Sequence, residues 1–284
     1  MGDTGFELVK GTLTDLFVQI QSAHGAGAVG VIQKELISLS AQYSNLTATN
    51  RKPLDYSDPV TRFAYVYAYV AAHSNWIQSF VSNVEEIRHL IRSTDPVRVT
   101  CLGGGPGTEL VGLIRACNGF GRKAPLTCFL VDSEDGWAET WTEVDHKIGA
   151  SFKVSTAFRR VDITNPPALA NLTKAFEADL FIANFFLSEI FSFRDKAAPF
   201  LSGLATSAKP GALVLYIDNC SDQFTNYAES LFDKAHFDLI YKIDKEHLQI
   251  SSNEEKKDLG EFLTMIGRQP KLGSDASVRV WRKK

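Results

Sequence analysis

Four cysteines are few for a chain of 284 residues, and no two of them form a Cys-x-x-Cys pair. Cys101, Cys117, Cys128 and Cys220 are therefore expected as buried, reduced thiols, and neither a disulfide framework nor a metal site is expected. Long apolar runs are missing too: none reaches the ~18 residues that a bilayer span requires. No positively charged start leads into an apolar signal core, so an intracellular place, cytoplasm or nucleus, is expected, with no membrane partner. Positive charge is not in excess. Lys and Arg number 30 against 33 Asp and Glu, a formal net charge of −3, so a broad basic surface for nucleic acid is not implied. The sequons Asn45-Leu46-Thr47 and Asn171-Leu172-Thr173 carry no weight in a chain without a signal.

Two phosphate-binding motifs are also missing. The dinucleotide pattern G-x-G-x-x-G fails, because Thr108 and Leu110 stand where its last glycine would fall, and no Gly-Lys-Ser/Thr follows to make a P-loop. What stands there is VRVTCLGGGPGTELVGLI, residues 97 to 114: a β-branched run, a burst of glycines, then an amphipathic stretch. That order reads as strand, tight loop and helix. Glycine has no Cβ, so its backbone can turn sharply and come close to a ligand at the carboxyl end of a strand.

Four further segments follow the same logic. LTCFLVD is an apolar run that stops at Asp132, whose two oxygens could accept from both hydroxyls of a ribose; the alternative is a plain loop carboxylate, with Ser133 beside it as a helix cap. A variable strand ends in Val161, Asp162 and Ile163. ADLFIAN is nearly all apolar, as expected of a central strand covered on both faces, and it ends at Asn184. After the turn Lys209-Pro210-Gly211 comes ALVLYIDN, another buried strand. The alternation of strands and helices requires a covered, mostly parallel sheet.

With glycines at 103, 105 and 107 and these strand tips in this order, the chain from about residue 95 to 284 resembles the class I S-adenosylmethionine (SAM) dependent methyltransferases. The resemblance implies an α/β fold: a Rossmann-like sheet, mostly parallel with an antiparallel last strand, and helices on both faces. It implies SAM as cofactor, with Gly103, Gly104, Gly105 and Gly107 forming the loop that holds it. Asp132 and the neighbouring Ser133 would lie at the ribose, Asp162 would accept from the adenine amino group, the Ile163 amide would meet the ring, and Asn184 would face the methyl-donor region. Members usually carry Asp or Glu two residues before the first glycine, supporting the methionine end of the cofactor; this chain has Cys101 there. No Asn-Pro-Pro-Tyr and no cytosine-C5 cysteine motif occurs, which disfavours those nucleic-acid enzymes. The implied function is methyl transfer to an acceptor, a small molecule, a protein or RNA, which the sequence leaves open; the alternative is a non-catalytic SAM-binding regulator or assembly factor. The failed dinucleotide spacing counts against an oxidoreductase.

Residues 1–95 read as an N-terminal helical cap ahead of a SAM-binding domain over 96–284. Apolar residues recur at helical spacing through Phe6, Leu13, Leu16 and Ile20, and again through Val31, Ile32, Leu36, Ile37 and Leu39, with a glycine-rich break between. A loop holding Asn50, Pro53 and Asp58-Pro59 precedes a long helix expected over about 60–92, with Asp58 as N-cap. On it Arg62, Tyr65, Tyr69, His73 and Trp76 share one face, either lining an acceptor pocket or packing against the sheet. Glu189 is the best-placed carboxylate to take a proton from an acceptor, ahead of Tyr65 and His73, or else a carboxylate at a helix start. No firm catalytic residue is assigned.

Overall fold

The computed structural model describes residues 4–48, 54–165 and 172–284. Asn50 and Pro53 of the expected loop, and Asn171 of the second sequon, lie outside the described residues. The amino-terminal part is helical: α1 (Gly5–His24), α2 (Ala28–Tyr43), α3 (Pro59–Tyr65), a π-helical segment Val66–Val70, α4 (Ala71–Asn83) and α5 (Glu85–Arg92). Strands and helices then alternate: β1 (Val97–Leu102), α6 (Thr108–Gly119), β2 (Leu126–Asp132), α7 (Gly136–Ile148), β3 (Val154–Arg160), α8 (Thr173–Phe176) and β4 (Leu180–Asn184). They continue with α9 (Phe186–Ile190), α10 (Arg194–Ser207), β5 (Leu213–Asn219), α11 (Asp222–Lys234), β6 (Phe237–Gln249), α12 (Glu261–Ile266) and β7 (Gly273–Lys283).

The seven strands form one sheet in the order β3-β2-β1-β4-β5-β7-β6. β1 to β5 are parallel, and β7 runs antiparallel between β5 and β6. The central strands are buried along nearly their whole length, which is why their sequences are continuous apolar runs. One core holds α4, α5 and α6 against one face of the sheet; a second holds α10 and α11 against the other. A third joins α1, α2 and α3 to α12 and to Trp137 of α7. The strand order reverses between β1 and β4. A crevice opens at the carboxyl ends of strands at such a reversal, because the loops on either side depart toward opposite faces.

Four expectations need correction. The helix expected over 60–92 is interrupted: Val84 takes an extended backbone (φ −74°, ψ 117°) and redirects the chain, so that Val84, Ile87 and Ile91 all reach the core under the sheet. Apolar spacing cannot detect this break, because Ile87 and Ile91 continue the same period. The π-helical segment adds a residue to one turn, also invisible to spacing. Asp58 does cap α3, accepting from the Val60 amide at 2.8 Å, with Pro59 in the first turn. Ile37 is 60% exposed and outside the core, and Cys220 is exposed while the other three cysteines are buried, free thiols. No described helix is long and apolar enough to cross a membrane.

Candidate functional site

A cleft of about 500 Å³ lies at the strand reversal. Its floor is the glycine loop after β1, its sides are the ends of β2, β3 and β4, and its roof comes from Tyr65 of α3 with Leu54 and Tyr56 of the loop before it. Gly103, Gly105, Asp132, Ser133, Asp162, Ile163 and Asn184 all line it. Gly104 and Gly107 do not: the Gly104 amide donates to Val131 O, fixing the loop to β2, and Gly107 caps α6 with its amide on Gly104 O at 2.7 Å. The loop needs glycine where φ is positive, at 62° for Gly103, 45° for Gly105 and 81° for Gly107.

Asp132 at the tip of β2 reaches across this floor. Its carboxylate accepts from the Gly105 amide at 3.0 Å and from the Glu134 amide at 3.1 Å. Burial pushes its pKa up to about 6, against the pull of those amides. Asp162 is exposed, lines the cleft and turns one oxygen to the amide and hydroxyl of Thr164, at 2.9 and 2.7 Å. Asn184 is 5% exposed, and its Oδ1 has no partner among the described residues.

Sequence reading missed three residues. Glu109, in the first turn of α6, is 2% exposed and its Oε2 finds no partner among the described residues. Burial pushes its carboxyl up to about 8, and the neighbouring Asn184 amide pulls part of the way back. In the sequence it looks like an ordinary acidic residue at a helix start. Tyr43 and Tyr56 come from segments that carry no motif. Their hydroxyls lie 2.9 Å apart, and Tyr43 also donates to Glu189 across the roof. Tyr56 and Tyr65 lean on Trp137 with ring centroids 4.9 and 5.5 Å away, so three rings wall the cleft, with Trp137 next to Gly105 of the loop.

The aromatic row of the third helix divides by position. Arg62 does not face the cleft: its guanidinium donates to Tyr56 O and Ser57 O at 2.9 and 2.8 Å, pinning the loop that carries Tyr56. Tyr65 lines the cleft. Tyr69 and His73 line a second cavity, and Trp76 is buried in the core. Successive rings from Tyr65 to Trp76 still touch, with centroids 5.2 to 5.5 Å apart.

No family model and no curated protein sequence matches the chain. Solved structures do. The chain is similar to an O-methyltransferase family protein from Burkholderia thailandensis, with 14% identity, 91% of this chain and 73% of that one covered, and a TM-score of 0.52. It is also similar to TehB from Haemophilus influenzae, at 15% identity over 73% and 67% of the two chains and a TM-score of 0.42. A third likeness is to precorrin-6y C5,15-methyltransferase from Geobacter metallireducens, at 9% identity over 70% and 88% of the chains and a TM-score of 0.41. At such identities the likeness is one of architecture. With five parallel strands, an antiparallel β7 beside β5, and the Burkholderia protein superposing over most of its length, the chain has the fold of the class I SAM-dependent methyltransferases.

Proposed function

We propose that the chain binds SAM in this cleft and transfers its methyl group to an acceptor. The observation that carries the reading is the convergence on one cleft of seven residues that the resemblance assigns to SAM, drawn from four separate strand ends. The free acceptor atoms fit as well. Asn184 lines the cleft, and Glu109, hydrogen-bonded to it, is buried behind it; Glu109 Oε2 and Asn184 Oδ1 are both unpartnered among the described residues, which suits the cationic end of such a ligand. SAM supplies an activated methyl on a sulfonium; the protein must align and exclude water. Asp132 accepts from the ribose hydroxyls, Asp162 from the adenine amino group, and Trp137 gives an apolar wall. Glu109 takes the part of the carboxylate missing at Cys101. Glu189, oriented by Tyr43, receives a proton where the acceptor has one to lose.

The missing carboxylate at 101 is the observation that favours a second reading, a non-catalytic SAM-binding regulator. The two are separated by incubating the protein and labelled SAM with cell extract: the enzyme moves label into an extract fraction, the regulator binds SAM and moves none.

Asp132→Ala removes charge-assisted hydrogen bonds, so SAM affinity measured by calorimetry should drop by about 1.5–3 kcal/mol. In the wild type, affinity should also fall as pH is lowered through about 6, where this carboxylate takes up a proton. Unchanged affinity in the variant would make Asp132 a bystander.

A further inference from the structure

A second cavity, of about 320 Å³, lies beyond the cleft, within the range of ~300–1,000 Å³ typical of small-molecule sites. The two share one lining residue, Phe185, at the start of α9. Beside it the Tyr43 hydroxyl, on the cavity side, donates to Glu189, on the cleft side. The wall between them is therefore one side chain thick. Phe185 holds a left-handed backbone (φ 54°), uncommon for a bulky residue, and its ring lies nearly flat on the His73 imidazole, centroids 4.3 Å apart at 14°.

The lining defines a ligand. Tyr43, Tyr69, His73 and Phe185 offer flat aromatic faces. Arg268 and Lys271 supply two cations, and no carboxylate stands among the described residues that line the cavity. His73 is 4% exposed, and neither ring nitrogen has a partner among the described residues. Burial and the nearby Lys271 keep it neutral, so it offers one donor and one acceptor. Lys271 Nζ sits 5.2 Å from the Phe185 ring centre and 5.6 Å from that of Tyr69, which puts its charge at the wall shared with the cleft.

We propose that this cavity takes the methyl acceptor, a planar aromatic molecule whose anionic oxygen is held by Lys271 at the shared wall and is the atom methylated once the Phe185 ring dividing the two spaces turns aside. This rests on the methyltransferase reading above. A phenolate or carboxylate oxygen forms its bond to the methyl carbon as the S–CH3 bond breaks and the pair returns to sulfur, leaving a neutral thioether and no proton to place. Lys271 and Arg268 in the lining favour that anion over its protonated form, while the carboxylates of Asp218, which acts on Lys271, and Glu189, which acts on Tyr69, stand behind the lining.

The test uses the full chain loaded with S-adenosylhomocysteine, with 2-naphthoate and 2-naphthylmethylamine as probes of the same ring and opposite charge. Calorimetry should show naphthoate binding roughly tenfold or more tighter than the amine, and Lys271→Glu should weaken naphthoate by about the same factor, as loss of a hydrogen bond to a charged group implies. SAM affinity should be unchanged in that variant; Lys271→Gln serves if charge reversal prevents folding. Label from SAM should enter the small-molecule fraction of an extract, and less of it with the variant. Equal binding of the two probes, or label entering only RNA or protein irrespective of Lys271, would overturn the inference while SAM binding left the methyltransferase reading intact. Failure of the wild type to bind SAM would overturn both.

Discussion

Glu109→Gln should yield a chain that is more stable at mildly alkaline pH and a poorer binder of SAM. The stability effect follows from burial. In the folded chain the carboxyl holds its proton up to about 8, whereas the unfolded chain releases it near 4.5. Between those values the folded state binds more protons than the unfolded one, so stability falls as pH rises through that window. Glutamine has no proton to lose, so the advantage of the variant should be absent below about 4.5 and grow up to about 8. Thermal melts across that range read it directly.

The binding effect has the opposite sign. A cationic ligand end beside Glu109 favours the carboxylate, so SAM should expel its proton on binding near neutral pH. Calorimetry in two buffers of different ionisation enthalpy should therefore show proton release with the wild type and none from this site with the variant. Affinity for SAM should fall by about 1.5–3 kcal/mol, the usual worth of a hydrogen bond to a charged group. Affinity for 5′-methylthioadenosine, which lacks the amino-acid end, should not change. Equal losses for both ligands would place Glu109 away from the methionine end.

Gly107→Ala should cost far more stability than Gly105→Ala, although both glycines have positive φ. A Cβ on Gly107 would stand 2.0 Å from Trp141 Cε3, inside the packed contact between the loop and α7. The left-handed backbone (φ 81°) adds about 1–2 kcal/mol for a residue with a Cβ, and overpacking of a core adds about 1–3 kcal/mol. Together these give roughly 2–5 kcal/mol, enough to lower the melting temperature by several degrees or more. At Gly105 the nearest atom to a Cβ would be 3.8 Å away, so only the backbone term applies. The methyl group would instead project at the cleft floor, so Gly105→Ala should fold and lose SAM affinity. Similar melting temperatures for the two variants would show that the loop does not pack as described.

The strand tips could be read from the sequence because each depends on a short segment: the apolar run must stop where the strand leaves the core, and the residue that stops it faces the crevice. Asp132 and Asn184 each close an apolar strand in this way; Asp162 follows a half-exposed, polar strand, and its place is implied only by the family resemblance. The roof could not be read. Tyr43 and Glu189 are 146 residues apart, and nothing local marks either as the partner of the other. Lys271 lies just after α12, in a stretch whose only local signal is a turn, and reaches the second cavity because its amide donates to Ala68 O of the π-helical segment. Glu109 was hidden differently. An acidic residue in the first turn of a helix is ordinary, and only the packing of α6 against α4 shows that this one is enclosed.

The central claim is that the cleft at the strand reversal is a SAM site. Calorimetric titration of the wild-type chain with SAM, S-adenosylhomocysteine and NAD tests it most directly. Saturable binding of the first two, lost or much weakened in Gly105→Ala and Asp132→Ala, with no binding of NAD, is the predicted result. Firm binding of NAD with no heat from SAM would contradict the account.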